Sequence, residues 1–356
     1  MKGINTYKVT GLMSGTSLDG TDLALAEFTE TGREWSFRLV VAETVPYPEE
    51  LNQRLRAALN MESAELFRLN FDLGNYYGRI LNSFHEKTGI LPDFISSHGH
   101  TVFHRPDLGY TFQAGSGEQI ALLTNRPVVC DFRTRDVLLG GQGAPLVPIG
   151  DELLFSRYEY CLNLGGIANI SYRKEGKRIA CDLVPVNMAL NFLAELAGMS
   201  FDRDGKLAAE GRIDGVLLKR LNDLDFYRIS GPRSLGAEWF RSQFLPLISD
   251  ERISLADRLA TVSEHIAEQI SKELDLYPSG KMLVTGGGAY NENLIRILGN
   301  KTGVSLVIPA KELVEFKEAL VFAFLGLLRW RNEINCLSSV TGARSDSSTG
   351  IIFKPQ

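Results

Sequence analysis

The chain has 356 residues, enough for two domains, because a single hydrophobic core stops growing at about 250–300 residues. Hydrophobic residues make up 44% and charged residues 23%, the balance of a globular protein that can bury a sizeable core. A net charge of −5 and a sequence pI near 5.7 argue against a nucleic-acid partner, which leaves a basic footprint.

The opening MKGINTYKVTGLMSG reads as neither a signal peptide nor a membrane anchor, and no window approaches the roughly 20 apolar residues that span a bilayer. Apolar alternation then marks strands at Tyr7–Met13, Asp22–Phe28 and Phe37–Val45. Pro46 and Pro48 end the third, and helical spacing follows at Leu51–Leu59 and Ala64–Lys87, the latter with Phe67, Leu69, Phe71, Leu73 and Tyr77 among its apolar positions. A strand at Phe94–Ser97 leads into SSHGHTVFHRP; Ile120–Thr124 suggests a short helix and Pro127–Asp131 a strand. From about residue 150 the plan restarts. Glu159–Leu164, Ala168–Tyr172 and Arg178–Val184 read as strands and Met188–Leu196 as a helix. Lys281–Thr285 is a strand that breaks at a glycine run, followed by a helix from Asn291, a strand at Ser305–Ile308 and a long apolar helix at Glu315–Arg329. Cys130, Cys161, Cys181 and Cys336 are scattered, without a CxxC pair, and read as free thiols of a reduced, cytoplasmic protein.

Strand, glycine turn, strand, strand and helix thus occur twice, about 150 residues apart, which predicts an α/β chain with domains at 1–150 and 151–356. This is the plan of two actin-like or hexokinase-like (ribonuclease H-like) domains flanking a central ATP cleft. In GLMSGTSLDGTD, Gly11, Gly15 and neighbouring backbone N–H groups can form an anion-binding concavity, to which Ser14, Thr16 and Ser17 add hydroxyls. Asp19 or Asp22 could hold Mg²⁺, directly or through water. The same residues also fit a hairpin turn held by Ser, Thr and Asp side chains. Gly165 and Gly166 stand at the matching point of the second half, where paired glycines equally mark a tight turn. Gly286, Gly287 and Gly288, with Asn291, would let adenosine lie flat beside a helix N-terminus. There is no GxGxxG after a strand and no GxxxxGK[ST], which argues against Rossmann and P-loop proteins.

His98, His100 and His104 lie within seven residues, but H-x-H-x3-H is not a common zinc spacing; a sugar-binding lip and satisfied loop histidines are both open. Asp182, at the end of a strand, can be a general base or a helix N-cap. Glu318 lies on the last long helix, where a glutamate is usually solvated.

Taken together these motifs resemble the anhydro-N-acetylmuramic acid kinase family. The resemblance rests on GLMSGTSLDGTDLALAEF, HGHTVFHRP, DFRTRDVLLGGQGAPLVP, NLGGIANIS, GKLAAEGRI, GPRSLGAEWF, TGGGAYNENL, KEALVFAFLG and VTGARSDSSTG, in family order. It implies an ATP- and Mg²⁺-dependent kinase of cell-wall recycling, working as a cytoplasmic homodimer. Such an enzyme phosphorylates the sugar's 6-oxygen while water opens the 1,6-anhydro bridge, giving N-acetylmuramic acid 6-phosphate. Asp182 matches the family's general base, and Thr101, Arg133 and Glu318 match sugar-side elements. The family's DTGPGN is here Asp182-Leu-Val184-Pro185-Val186-Asn187, a later aspartate is Asn191, and the glutamine of HGQT is His100. Valine adopts positive φ poorly, so a loop that used a glycine there must rearrange. Two further readings follow from that departure: a kinase of another amino sugar, and a non-catalytic nucleotide or sugar sensor.

Overall fold

A computed structural model describes residues 5–15, 18–32, 34–229, 233–274 and 280–355. Thr16 and Ser17, two of the expected nucleotide contacts, lie outside the described residues. The chain divides into two compact units, Met1–Phe155 with Phe316–Gln356, and Ser156–Glu315. The expected boundary near 150 is close, but the last forty or so residues belong to the first unit rather than the second. The apolar helix Lys311–Trp330 and the tail after it pack on the first unit's sheet, and that packing overrides chain order.

The first unit is built on strands β1 (Asn5–Ser14), β2 (Thr21–Thr31), β3 (Glu34–Val45), β4 (Phe94–Arg105), β5 (Tyr110–Ala114) and β6 (Val128–Cys130). The second contains β7 (Tyr160–Leu164), β8 (Ile167–Lys174), β9 (Lys177–Pro185), β10 (Lys281–Thr285) and β11 (Ser305–Val307); β12 (Ile351–Phe353) returns to the first. The first sheet runs β12-β6-β4-β1-β2-β3, with β5 beside β4. The second runs β11-β10-β7-β8-β9. In both, the first three strands form an antiparallel meander, and two further strands, β4 and β6 in the first sheet and β10 and β11 in the second, run parallel to the first strand on its other side. The same order and direction in a five-strand core of each half, to which the first adds the antiparallel β5 and β12, make this a duplicated ribonuclease H-like fold, as the repeat of elements predicted.

The strand expectations hold to within a few residues, with two informative differences. β4 runs on to Arg105, so the histidine segment is strand rather than loop, paired with the unpredicted β5. In the helix Ser63–Thr88, Leu69, Leu73, Tyr77, Leu81 and Phe84 form the buried stripe, at spacings of three and four. Phe67 and Phe71 lie off that stripe, 67% and 40% exposed, stacked edge-to-face on each other. Gly89 in the left-handed conformation closes the helix.

In the first unit, Leu12, Leu23, Leu25, Ile95 and Val128 pack under the helix Ser63–Thr88. The opposite face carries the helix Lys311–Trp330, whose Phe324 meets Phe28 at 5.3 Å. Small residues set that approach. A Cβ on Gly11 would lie 2.0 Å from the Ala319 carbonyl oxygen, and one on Gly326 would strike the Ser96 side chain. Gly11 therefore lies inside β1, paired with Ala24 and Ser96, and its missing side chain makes room for a helix rather than for a phosphate.

Gly11→Val should therefore cost about 1–3 kcal/mol of unfolding free energy or more, as overpacking does. Gly215→Ala, where nothing lies within 4 Å of the new Cβ, should change it by under about 1 kcal/mol. Urea unfolding of the two variants beside the parent reads both effects; equal midpoints would remove the packing argument.

Candidate active site

In the first unit the parallel strands β1, β4 and β6 end on the same side, the position at which such sheets hold ligands. Ser14 closes β1, but it faces inward. Its hydroxyl accepts a 2.6 Å hydrogen bond from Tyr47 and lies 2.9 Å from His100 Nδ1, and Tyr47 lies 3.2 Å from the Tyr77 hydroxyl. Burial holds His100 below its usual pKa and raises that of Tyr47, so the network is neutral. Ser14 is thus engaged by the protein's own Tyr47 and His100. Gly15 is half-buried, and Leu18 follows with φ 60° while its carbonyl accepts from Asn52 Nδ2 at 2.6 Å. Asp19 is exposed, and Asp22 lies on β2, where it accepts from Thr44 at 2.6 Å.

Arg133 follows β6 and is held by two partners. Its Nε and Nη2 lie 3.1 and 2.8 Å from His98 Nε2, and Nη1 donates to the Gly143 carbonyl at 2.7 Å. His98 Nδ1 lies 2.8 Å from the Gly99 carbonyl, which can only accept; Nδ1 therefore carries the proton and Nε2 offers its lone pair to Arg133. Burial, and then the Arg133 charge, keep His98 well below its ordinary pKa, so the imidazole stays neutral. His98 therefore serves as a support for Arg133. Burial pulls Arg133 down to about 10 while Glu318 opposes that shift.

Glu318 reaches solvent although protein surrounds it closely. That desolvation raises its pKa, as does the nearby Asp22, whereas Arg133 and Lys317 lower it. The neighbouring Lys317 is fixed by a buried ion pair with Asp151 at 2.7 Å and sits 5.2 Å above the Phe155 ring. The structure therefore brings Arg133, Glu318 and Asp22 into one electrostatic group. Thr101 stands apart on β4, half-buried opposite Gln113. Asp136, which sequence reasoning passed over, ties the loop together: it accepts from Cys336 at 3.1 Å, Thr341 at 2.7 Å and the Gly143 N–H at 2.7 Å.

In the second unit the glycine turns meet at the C-terminal ends of β7 and β10. A Cβ on Gly286, whose φ is 81°, would lie 2.4 Å from Asn163 Oδ1 and 2.8 Å from the Leu164 backbone. Asn187 donates from Nδ2 to Leu164 O at 3.1 Å and from its backbone N to Gly165 O at 3.1 Å. Gly165, Gly166, Gly286, Gly287 and Gly288 thus form one cradle of backbone, with Val186 behind Gly288. Asn291 is the N-cap of the helix Glu292–Lys301, its Oδ1 accepting from Leu294 at 2.9 Å, so that oxygen serves the helix. A cavity of about 380 Å³ opens nearby among helices, lined by Ala208, Ala260, Asn293, Arg296 and Lys301.

The two valines do not break the Asp182 loop. Val184 pairs with Ala168 in β9, and Val186 has φ −113°; both are fully buried in the second unit's core. No left-handed residue is needed there, and the side chains added at these positions serve as core. Asp182 lies on β9 itself, the edge strand, three residues before its end, rather than at a strand terminus or an N-cap. Its Oδ2 accepts from the Leu235 N–H at 2.9 Å and the Ser234 hydroxyl at 3.2 Å. Burial raises its pKa, against these two bonds and the Arg233 charge. The segment containing Ser234 and Leu235 was visible as GPRSLGAEWF, but nothing in its spacing linked it to Asp182.

The family model for anhydro-N-acetylmuramic acid kinase matches residues 7–355 of this chain. The chain belongs to that family. The anhydro-N-acetylmuramic acid kinase of Gloeobacter violaceus is similar at 36% identity over 94% of this chain and 95% of its own. Those of Photobacterium profundum and Haemophilus influenzae are 34% and 32% identical over 96% of this chain and 97% of theirs. Among solved structures, the activator of 2-hydroxyisocaproyl-CoA dehydratase from Clostridium difficile aligns over 91% of this chain and 97% of that one, at 12% identity and a TM-score of 0.45. As a member of this kinase family the protein is a sugar kinase that uses ATP.

For this kinase, Gly286→Ala must displace Asn163 or Leu164 from the cradle. Nucleotide binding at this cradle predicts an ATP affinity about tenfold lower in this variant, the equivalent of the strain at one disfavoured backbone position. Isothermal titration with a non-hydrolysable ATP analogue measures it, and parental affinity would remove the cradle from the nucleotide site.

Proposed function

We propose that the enzyme converts 1,6-anhydro-N-acetylmuramic acid, ATP and water to N-acetylmuramic acid 6-phosphate and ADP, with Asp182 as the general base. The observation that carries this reading is the state of Asp182: a half-buried carboxyl whose basicity burial raises, with Oδ2 occupied by two donors. A base that must take a proton from water gains from a pKa moved toward neutrality. Asp182 removes a proton from water as the water oxygen bonds to C1 and the C1–O6 bond of the bridge breaks. The electron pair left on O6 attacks the γ-phosphorus, ADP leaves with the pair of the cleaved P–O bond, and the proton on Asp182 passes to solvent.

The remaining roles follow the chemistry of the donors. Gly165, Gly166 and Gly286 to Gly288 offer backbone to the nucleotide, Gly15 offers a backbone N–H to phosphate, and Thr16 and Ser17 offer hydroxyls. Arg133 and Glu318 supply a cation and a carboxylate to the sugar, with Thr101 as a further hydroxyl. Among the described residues no group of three or more His, Cys, Asp or Glu side chains is arranged to hold a metal ion. Mg²⁺ is carried largely by phosphate and water, and Asp19 and Asp22 are the carboxylates that would hold it. When bound, it neutralises charge on the phosphates. No described helix is long and apolar enough to cross a membrane, and the acidic pI lacks the footprint of a nucleic-acid binder. A cytoplasmic homodimer completes the reading.

Asp182→Asn should lower kcat by about 10²–10⁴-fold, the usual contribution of a general base, while nucleotide affinity is kept. Only the ionised carboxylate accepts a proton. Because the folded pKa is raised, activity should fall with decreasing pH at a higher value than an ordinary aspartate would set. The decisive measurement is ADP release with mass identification of the sugar product; an Asp182→Asn enzyme with parental turnover would end the assignment.

A further inference from the structure

Asp182 does not orient itself. It lies on an edge strand, and among the described residues its carboxylate receives protein hydrogen bonds at Oδ2 alone, both from one short segment. That segment runs along β9 as an extra piece of edge, since the Asp182 N–H donates to the Arg233 carbonyl at 3.0 Å.

The segment is held from elsewhere. The Arg233 guanidinium is held in an ion pair with Glu273 at 3.0 Å. Its Nη1 donates to Ile229 O at 3.1 Å, and the group lies 5.5 Å from the Phe226 ring. The two side chains are only 11% and 15% exposed, so water competes weakly for the pair. Glu273, near the end of the helix Leu255–Leu274, also accepts from Tyr172 at 2.8 Å on β8 and from Cys181 at 3.7 Å, the residue before Asp182. One glutamate therefore registers the helix, β8, β9 and the 233–235 segment against one another.

We propose that Arg233, through its ion pair with Glu273, is a positioning residue for the base: it holds the Ser234 hydroxyl and the Leu235 N–H on Asp182 Oδ2, leaving Oδ1 to receive the proton from water. The proposal rests on Asp182 being the base. It joins geometry to charge, because the Arg233–Glu273 ion pair adjoins the segment that binds Asp182. The other titratable groups facing it, Tyr172 and Cys181, are pushed up by burial and stay neutral. The bonds from Leu235 and Ser234, and after them the Arg233 charge, oppose the desolvation of Asp182, while Glu273 holds that cation in place. A base with one saturated oxygen cannot rotate to present either; the attacking water meets a single lone-pair direction. Small misplacements of such a group are costly, on the order of a hundredfold for 1 Å.

The test uses the full-length enzyme with ATP and 1,6-anhydro-N-acetylmuramic acid. Arg233→Met should lower kcat about tenfold to hundredfold, leave nucleotide affinity within about twofold, and move the acid limb of the pH–kcat/KM profile to higher pH. The upward direction follows from loss of the cation that favours ionised Asp182. An unchanged kcat and acid limb would overturn the proposal. So would a fall in kcat that tracks a fall in Tm with the acid limb unmoved, because that is a structural role only. If Arg233→Met does not fold, Ser234→Ala decides, since it removes one donor to Oδ2 and leaves the ion pair intact. A lower kcat with the same upward shift supports the proposal, and a parental profile refutes it. Asp182→Asn separates the two levels. A parental kcat there removes the base itself, whereas an inactive Asp182→Asn beside an unaffected Arg233→Met removes only the positioning role.

Discussion

The approach of the helix Lys311–Trp330 to the first sheet is the contact on which that unit's site depends. A backbone carbonyl of the helix occupies the place where any side chain on Gly11 would sit, and a second glycine, Gly326, admits Ser96 in the same way. With the helix at that depth, Lys317 reaches Asp151 and Glu318 comes within electrostatic range of Arg133 and Asp22. The charges are arranged by packing, and the packing is set by what two residues lack. A carboxylate in dense surroundings with a cation and an anion nearby responds strongly to ligands that bring or remove charge.

The second unit uses the same device on a different scale. Gly286 lets β10 turn across Asn163 and Leu164 at distances that exclude a Cβ, so three separated stretches of chain share one cradle. Beneath it, Val184 and Val186 fill the interior, which shows that this loop's glycines are not required by its backbone. The family reading is therefore compatible with a loop that differs in sequence. The difference lies on the buried side, whereas Asp182 and Asn187, which carry polar contacts, are retained.

Much of the fold was legible because it depends on local signals. Period-two alternation marked the strands, glycine runs marked the turns, and the duplicated order predicted two like units. What escaped were pairings between distant residues. Nothing local says that Phe67 and Phe71 fall off the buried stripe, or that residues 316–356 return to the first sheet. The site shows the same division. Asp182, Arg133 and Glu318 could be singled out by motif, but their supports could not: His98 for Arg133, Lys317–Asp151 beside Glu318, and Ser234 with Leu235 on Asp182. Conversely Gly11, Ser14 and the Asn291 oxygen, singled out for a ligand, are used by the protein itself, because small and polar residues serve packing and capping with the same chemistry that serves binding.

The return of the tail to the first unit bears on how the chain is made. The second unit is continuous, from Ser156 to Glu315, and holds its whole core within that span. The first is interrupted: β6 has no β12 beside it, and Asp136 has neither Cys336 nor Thr341, until the final residues are added. At ordinary rates of synthesis that interval, about two hundred residues, lasts roughly 10–40 s. Throughout it the face around Gly11 and Ala24 lacks its helix. The half of the molecule that is translated first is thus the half that finishes folding last, and it is the half a chaperone would have reason to hold.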